Sequence, residues 1–439
     1  METLQGFPYY PVEFAKDGQV FQQSQDEALL AGLKQQPVSD LLVLSHGWNN
    51  DMHDARSLYD TFLAQLKKVM AAKAVPGVAG RAFAVLGVLW PSKKFADTNL
   101  IPSGAAGISS PVTTTALAAA LNSLHGVFDA PGADKALDEA KKLLPMLEDS
   151  PAARGKFADL LRSVLPPTEK SVDVDLGSTF RSMPGRQLME QFAKPFPAAG
   201  LPTTIRPTGA NGHKTEGHVA GLGQLFGGIK AGALNLLNYT TYYQMKERAG
   251  NVGRDGLHGV LKLVRSQSAV KMHLVGHSFG GRVVTAAAAG PDGPLDLTVS
   301  TLTLLQAAFS HYGFSDNYDG SKAGFFRKVL QNKAVTGPIL ISHSVKDSAV
   351  GTMYPLASML ARQVGAGLGD SNDKYGGMGR NGAQKTPEAS EGPLLNVGGK
   401  YTFASGKIYN LNGDAVIQEH SDIAHAEVAY ALLQAVATT

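Results

Sequence analysis

A serine stands at the centre of a short glycine-flanked segment, residues 276–280, whose sequence GHSFG has the pattern G-x-S-x-G. An apolar run, 270–275, ends directly before it, and a run of small residues, 283–289, follows it. Between a strand and a helix, such glycines let the chain turn tightly enough to lift a serine hydroxyl clear of a sheet. The start of the helix brings backbone N–H groups close to a developing negative charge. The pattern therefore predicts Ser278 as a nucleophile.

This segment and an earlier loop together resemble the α/β-hydrolase superfamily. The earlier loop is His46-Gly47-Trp48, which follows an apolar run at 40–44. The chain looks most like bacterial esterase and lipase-type members with a His-Gly-X oxyanion loop, and the likeness extends to the order of a downstream acid and histidine. It implies a serine hydrolase with a mostly parallel, doubly wound α/β sheet, that is, the α/β-hydrolase fold.

The resemblance also implies which groups would stabilise a tetrahedral oxyanion. They are the backbone N–H groups of Trp48 and Phe279. Supporting residues would be those around the two loops, namely His46, Gly47, Gly276, His277 and Gly280. The structural alternative is that His46 caps its loop and Trp48 packs in the core.

In this superfamily an acid follows the serine along the chain, and the histidine follows the acid. Asp347 lies just past an apolar run at 337–342, where a carboxylate could orient an imidazole and stabilise its cation. The alternative role is an N-cap for a helix predicted to begin near Ala349. Three other downstream aspartates do not lie at the end of a predicted strand: Asp316, Asp319 and Asp373. Asp347 is therefore the predicted acid.

Two histidines compete for the role of general base, His420 and His425. They lie where the last predicted strand leads into the last predicted helix, and Ser421 or Asp422 is a natural N-cap there. His420 then lies on the loop, where superfamily members carry the base, whereas His425 lies inside the first helical turn. We therefore predict His420 as the base.

The rest of the sequence must supply the elements that position these residues. Short apolar runs alternate with helical stretches, which is typical of a mostly parallel α/β sheet with strands buried on both faces. The predicted strands lie at 40–44, 82–89, 270–275, 299–305, 337–342 and 407–411. A hairpin is predicted at 8–21, a helix at 349–364, and irregular structure over the glycine-rich residues 365–399.

The strand and helix alternation stops between residues 93 and 235, where only helical segments are predicted. The chain thus divides into a catalytic core, 1–92 and 236–439, and a helical insertion, 93–235. The insertion runs into a nearly uncharged, glycine-rich stretch at 219–237. Close helix contacts would explain the glycines, and a mobile apolar cap or lid is the alternative interpretation.

Composition excludes several classes of function for this chain of 439 residues. It carries 40 basic and 37 acidic residues with no concentrated basic stretch, so nucleic acid is not an expected partner. It has no cysteine, which removes disulfides, thiolate metal sites and a cysteine nucleophile. Serine chemistry needs neither a cofactor nor a metal, and none is expected.

The N-terminal residues, Met1 to Pro11, lack the basic patch and apolar run of a secretory signal. No window of about 18 uninterrupted apolar residues occurs, so no membrane-spanning helix is expected. The expected location is the cytoplasm, with signal-independent secretion as an alternative.

These observations predict an enzyme that hydrolyses carboxylic esters through an acyl-enzyme. The insertion favours acyl-chain substrates, as in a lipase or phospholipase, with transient contact between the cap and a lipid surface. The same triad could serve a small-ester esterase, an amidase or an acyltransferase. A different class, a non-catalytic or secreted effector protein that retains the fold, is the remaining alternative.

Overall fold

The computed structural model describes residues 2–92, 112–165, 177–194, 228–347 and 375–439. These residues contain a nine-stranded sheet with the order β1-β2-β4-β3-β5-β6-β7-β9-β8, in which β1 is antiparallel to β2 and all other neighbours are parallel. The strands are β1 Thr3–Leu4, β2 Phe7–Glu13, β3 Asp40–Ser45, β4 Phe83–Leu89, β5 Lys271–His277, β6 Thr301–Leu305, β7 Ile339–His343, β8 Ala389–Pro393 and β9 Ile408–Asn412.

Helices connect most of these strands. They are α1 Gln23–Gln35, α2 Met52–Ala71, α3 Thr114–Ser123, α4 Ala133–Leu143, α5 Pro151–Ser163, α6 Gly177–Ser182, α7 Gly185–Phe192, α8 Ile229–Asn251, α9 His258–Gln267, α10 Phe279–Ala289, α11 Arg327–Gln331, α12 Met378–Asn381 and α13 Ala426–Val436. A π-helical turn, Val252–Leu257, joins α8 to α9. None of the helices in the described ranges is long and apolar enough to cross a membrane.

The central strands are buried on both faces because helices cover both sides of the sheet. Every residue of β3 is buried, and its side chains alternate between two hydrophobic clusters. Leu41 and Val43 join the cluster formed with α1, α8, α9 and α10, whereas Leu42 and Leu44 join the cluster formed with α2 and α13. The prediction of a mostly parallel α/β sheet with helices on both faces is confirmed.

The predicted strands at 40–44, 82–89, 270–275, 299–305, 337–342 and 407–411 correspond to β3, β4, β5, β6, β7 and β9. The hairpin predicted at 8–21 is reduced to one antiparallel bridge, Phe14 to Val20, because β2 pairs with β4 instead. The prediction of irregular structure over 365–399 is wrong for Ala389–Pro393, which forms the edge strand β8. The helix predicted at 349–364 lies outside the described residues.

The described part of the predicted insertion is helical, comprising α3 to α7 and the first residues of α8. Leu121, Leu137 and Leu161 on these helices belong to the same hydrophobic cluster as Val43 of the sheet. The helices of the insertion therefore share a hydrophobic core with the sheet. Helix α8 also runs without a break across the predicted boundary between residues 235 and 236. Residues 219–227 of the predicted apolar cover lie outside the described residues.

Candidate active site

The predicted functional residues follow the carboxyl ends of β3, β5, β7 and β9. These strands are aligned in the sheet, with Ser45 opposite Gly276 and His343 opposite Asn412. Loops that follow the carboxyl ends of parallel strands meet at one edge of the sheet, where α/β proteins bind ligands. The topology therefore brings together residues that are far apart in the chain.

Ser278 occupies the turn between β5 and α10 with a backbone φ of 56°, a conformation that L-residues rarely adopt. Its N–H donates to the Leu305 carbonyl at 3.0 Å, and its carbonyl accepts from the Ala308 N–H at 3.0 Å. Gly276 lies directly against the Gly280 backbone, where a Cβ would clash. The two glycines thus allow neighbouring backbone segments to pack closely, whereas Ser278 itself adopts the strained backbone conformation.

Asp347 and His420 form a hydrogen-bonded pair. His420 Nδ1 lies 2.9 Å from Asp347 Oδ2, the Asp347 side chain is fully buried, and the His420 side chain is 16% exposed. A carboxylate accepts, so Nδ1 carries the proton and Nε2 is left to act as a base. Ser278 and His420 line the same cavity, although no hydrogen bond joins Ser278 Oγ to His420 in this structure. Such bonds are often long in unliganded enzymes and tighten when substrate binds.

His425, the competing histidine, has a different partner. Its Nε2 lies 2.6 Å from Asp422 Oδ1, and both side chains are about 30% exposed. It is the N-cap residue of α13 and is not among the described residues that line the cavity beside Ser278. The structure therefore pairs Asp347 with His420.

The loops that carry the acid and the histidine are tied together by contacts that the sequence interpretation missed. Asp414, just after β9, accepts hydrogen bonds from the Ser344 hydroxyl at 2.9 Å and the Val345 N–H at 2.8 Å. Lys346 Nζ donates to Gln418 Oε1 at 2.7 Å. The available signal was the Asn-Gly-Asp turn directly after β9, since aspartate in such a turn commonly accepts hydrogen bonds from backbone N–H groups.

The loop after β3 is held by His46. Trp90 N–H donates to His46 Nε2 at 3.2 Å, so the ring proton lies on Nδ1, which donates to the Gly47 carbonyl at 2.9 Å. Asn50 Nδ2 donates to the same carbonyl at 3.3 Å. Because the peptide bond is planar and trans, the Trp48 N–H points away from these two side chains. His46 therefore holds the backbone of the loop that carries the Trp48 N–H.

The side chains of the two predicted oxyanion donors pack against each other. The Trp48 and Phe279 ring centroids are 6.0 Å apart, and both rings contact Tyr242 of α8. Phe279 is the first residue of α10, so its N–H has no acceptor within the helix. The arrangement places one candidate N–H donor on each of the two loops around Ser278.

His277 connects the nucleophile turn to the histidine loop, a contact that sequence reasoning missed. Its Nε2 donates to the His420 carbonyl at 2.9 Å, and the two ring centroids are 4.9 Å apart. Its Nδ1 is buried and has no hydrogen-bond partner among the described residues. The hydrogen bond holds the backbone of His420 against His277, which directly precedes Ser278. The two residues are 143 positions apart in the sequence, which is why no local pattern indicated this contact.

Burial lowers the pKa of three histidines around these strands. It lowers the pKa of His46 to about 4 and, helped by the nearby His420 ring, that of His277 to about 3. The pKa of His273 on β5 is also lowered, and burial is the largest cause. In the unfolded chain each would titrate near its ordinary value of 6.5.

We therefore expect the free energy of unfolding to fall as the pH drops from about 7 towards 5. In this range the unfolded chain takes up protons at His46 and His277 and the folded chain does not, at a cost of about 1.4 kcal/mol per pH unit for each. Thermal melts between pH 5 and pH 7.5 would measure how the free energy of unfolding depends on pH. His277→Gln should reduce this dependence by the contribution of one proton. A melting temperature that is flat across this range contradicts the prediction.

Gly47 is expected to tolerate no side chain. A Cβ there would lie 2.6 Å from Ser278 Cβ and 3.1 Å from Ser278 Oγ. Gly47→Ala must therefore displace the serine or the loop that carries the Trp48 N–H, and we expect kcat/KM for an ester to fall on the order of 10²-fold, as for loss of one oxyanion donor. Gly259→Ala on α9 is the control, because no atom lies within 4 Å of its added Cβ. Equal rates in the two variants would contradict this account.

A cavity of about 500 Å³ opens beside Ser278 and is lined by residues of the β3 loop, α2 and the histidine loop. Within the described ranges, no three His, Asp or Glu side chains are grouped so that they could hold a metal ion. The chain matches none of the protein-family models, none of the curated proteins and none of the solved structures with which it was compared.

Proposed function

We propose that the protein is a serine hydrolase of the α/β-hydrolase fold that cleaves carboxylic esters through an acyl-enzyme. One observation carries the proposal: His420, whose Nδ1 is hydrogen-bonded to the buried Asp347, lines the same cavity as Ser278, whose turn is strained. Nucleophile, acid and base follow one another along the chain in the order typical of that fold. Strain at an isolated residue that faces a cavity also favours a functional role.

In the proposed mechanism Ser278 Oγ attacks the ester carbonyl carbon while its proton passes to His420 Nε2. The oxyanion accepts hydrogen bonds from the N–H groups of Trp48 and Phe279. The intermediate collapses as His420 gives its proton to the leaving alcohol oxygen. Water then attacks the acyl-enzyme with His420 again as base, which releases the acid and restores Ser278. Asp347 accepts a hydrogen bond from the His420 Nδ1–H throughout and stabilises the imidazolium cation.

A fluorophosphonate probe tests the proposal on the intact protein. We expect one covalent adduct, on the proteolytic peptide that contains Ser278, and hydrolysis of p-nitrophenyl butyrate by the same preparation. Heat-denatured protein is the control, since the adduct depends on the folded site. Absence of both adduct and hydrolysis would favour a non-catalytic protein that retains the fold.

Ester hydrolysis is distinguished from the related reactions by product analysis. An amidase would cleave the matching anilide at a comparable rate, and an acyltransferase would move the acyl group to an added alcohol. The preference for acyl-chain substrates and the lid stay predictions, because they rest on an insertion of which residues 93–111, 166–176 and 195–227 lie outside the described part of the chain.

A further inference from the structure

The cavity beside Ser278 has a polar wall. One side is a single face of α2 and the turn before it, and the other side carries the nucleophile and the histidine loop. The polar side chains of the first wall are Asn50, His53, Asp54, Ser57 and Thr61. Asn50, Asp54, Ser57 and Thr61 follow one another at intervals of three or four residues, the spacing that aligns side chains along one helix face, and His53 lies beside Asp54.

Two of these side chains have hydrogen-bonding capacity to spare. The side chains of His53 and Ser57 are exposed and make no hydrogen bond within the described residues, whereas the Thr61 hydroxyl donates to the Ser57 carbonyl. The opposite face of α2 is apolar and packs on the sheet and α13. Polar residues on an exposed helix face are common, and what sets these apart is that the same cavity reaches Ser278.

The geometry of proton transfer decides which half of an ester lies in this cavity. In the proposed mechanism His420 protonates the leaving oxygen, so the alcohol departs on the side that His420 faces. His420 and the next residue, Ser421, both line the cavity. We propose, on the basis of the proposed ester hydrolysis, that this cavity binds the alcohol portion of the substrate and selects neutral alcohols with several hydroxyl groups.

The charges of the described lining residues disfavour an anionic alcohol. Asp54 contributes a carboxylate, and no lysine or arginine is among these residues. A phosphate group would find among them no cationic partner of the kind that phosphate sites use. Hydroxyl groups can both donate and accept, which suits a wall of hydroxyl, imidazole, amide and carboxylate groups.

Two butyrate esters with the same acyl chain and a three-carbon alcohol test the proposal: glyceryl monobutyrate and propyl butyrate. We expect kcat/KM to be about tenfold higher for the glyceryl ester, which corresponds to one or two net hydrogen bonds. The phosphorylated analogue, butyryl glycerol phosphate, should be slower than the glyceryl ester. A propyl or phosphorylated ester that reacts as fast as the glyceryl ester overturns the proposal.

Variants of the polar wall complete the test. Ser57→Ala and His53→Leu should each lower the ratio of glyceryl to propyl kcat/KM by about three- to fivefold, and Ser57→Thr should retain it. Lys68→Ala, an exposed residue of α2 outside the cavity, is the matched control and should keep the wild-type ratio. An unchanged ratio in both wall variants overturns the assignment of the cavity. If neither ester is cleaved and no fluorophosphonate adduct forms, the proposed hydrolase function fails instead.

Discussion

Ser278→Ala is expected to abolish the fluorophosphonate adduct and to reduce ester hydrolysis on the order of 10⁴-fold or more. The substitution removes only the hydroxyl oxygen, because alanine keeps the Cβ that contacts the loop at Gly47. The backbone bonds from Ser278 to Leu305 and Ala308 do not involve the side chain. The melting temperature should therefore stay close to that of the wild type, which separates loss of chemistry from loss of fold.

A second substitution at the same position tests the strain in the turn. Ser278→Gly should be inactive yet at least as stable as the wild type, because glycine adopts the φ of 56° without a Cβ penalty. Relief of about 1–3 kcal/mol of strain exceeds the cost of glycine in the unfolded chain, about 0.5–1 kcal/mol. Ser266→Ala, a serine of α9 remote from the site, should keep both labelling and turnover. Labelling that survives in Ser278→Ala would place the reactive residue elsewhere.

The sequence predicted the sheet well where burial dictates the pattern. The strands β3 and β4 are buried along their whole length, so they appear as unbroken apolar runs that few other structures would produce. The turn at Ser278 could also be predicted from the sequence, because Gly276 lies against the Gly280 backbone and Gly280 lies against the Ser45 carbonyl, so both positions require glycine. In each case a local physical requirement restricts the residue types.

The remaining features depend on contacts between distant parts of the chain. Strand β8 has the sequence ASEGP, whose glycine, proline and glutamate are unfavourable in strands, and it forms because the edge of β9 is available for pairing. The bond from His277 to His420 and the two bonds to Asp414 join loops that follow different strands. No local periodicity encodes them. Only the parallel topology brings these loops to one edge of the sheet.

The pairing of Asp347 with His420 leads to the second large expected effect. Asp347→Asn should lower kcat for ester hydrolysis by about 10⁴-fold while leaving the fold intact. The buried carboxylate accepts a hydrogen bond from the His420 Nδ1–H, with 2.9 Å between Nδ1 and Asp347 Oδ2, which leaves Nε2 unprotonated and able to take the proton of Ser278. An asparagine amide can present its NH₂ group to Nδ1 instead, which moves the ring proton to Nε2 and removes the base. Stopped-flow or single-turnover measurements of acylation would show the loss in the chemical step.

The second histidine–aspartate pair on the same loop is the built-in control for this experiment. His425 lies 2.6 Å from Asp422, is partly exposed and does not line the cavity, so His425→Gln should retain turnover within a fewfold of the wild type. His420→Gln should match Asp347→Asn or be more severe, because it removes the base itself. The opposite result, near-normal rates in Asp347→Asn and loss of activity in His425→Gln, would assign the base to His425 and its orientation to Asp422. The burial of the first pair and the place of His420 on the cavity beside Ser278 favour His420, since a buried carboxylate holds an imidazole more rigidly than a solvent-exposed one.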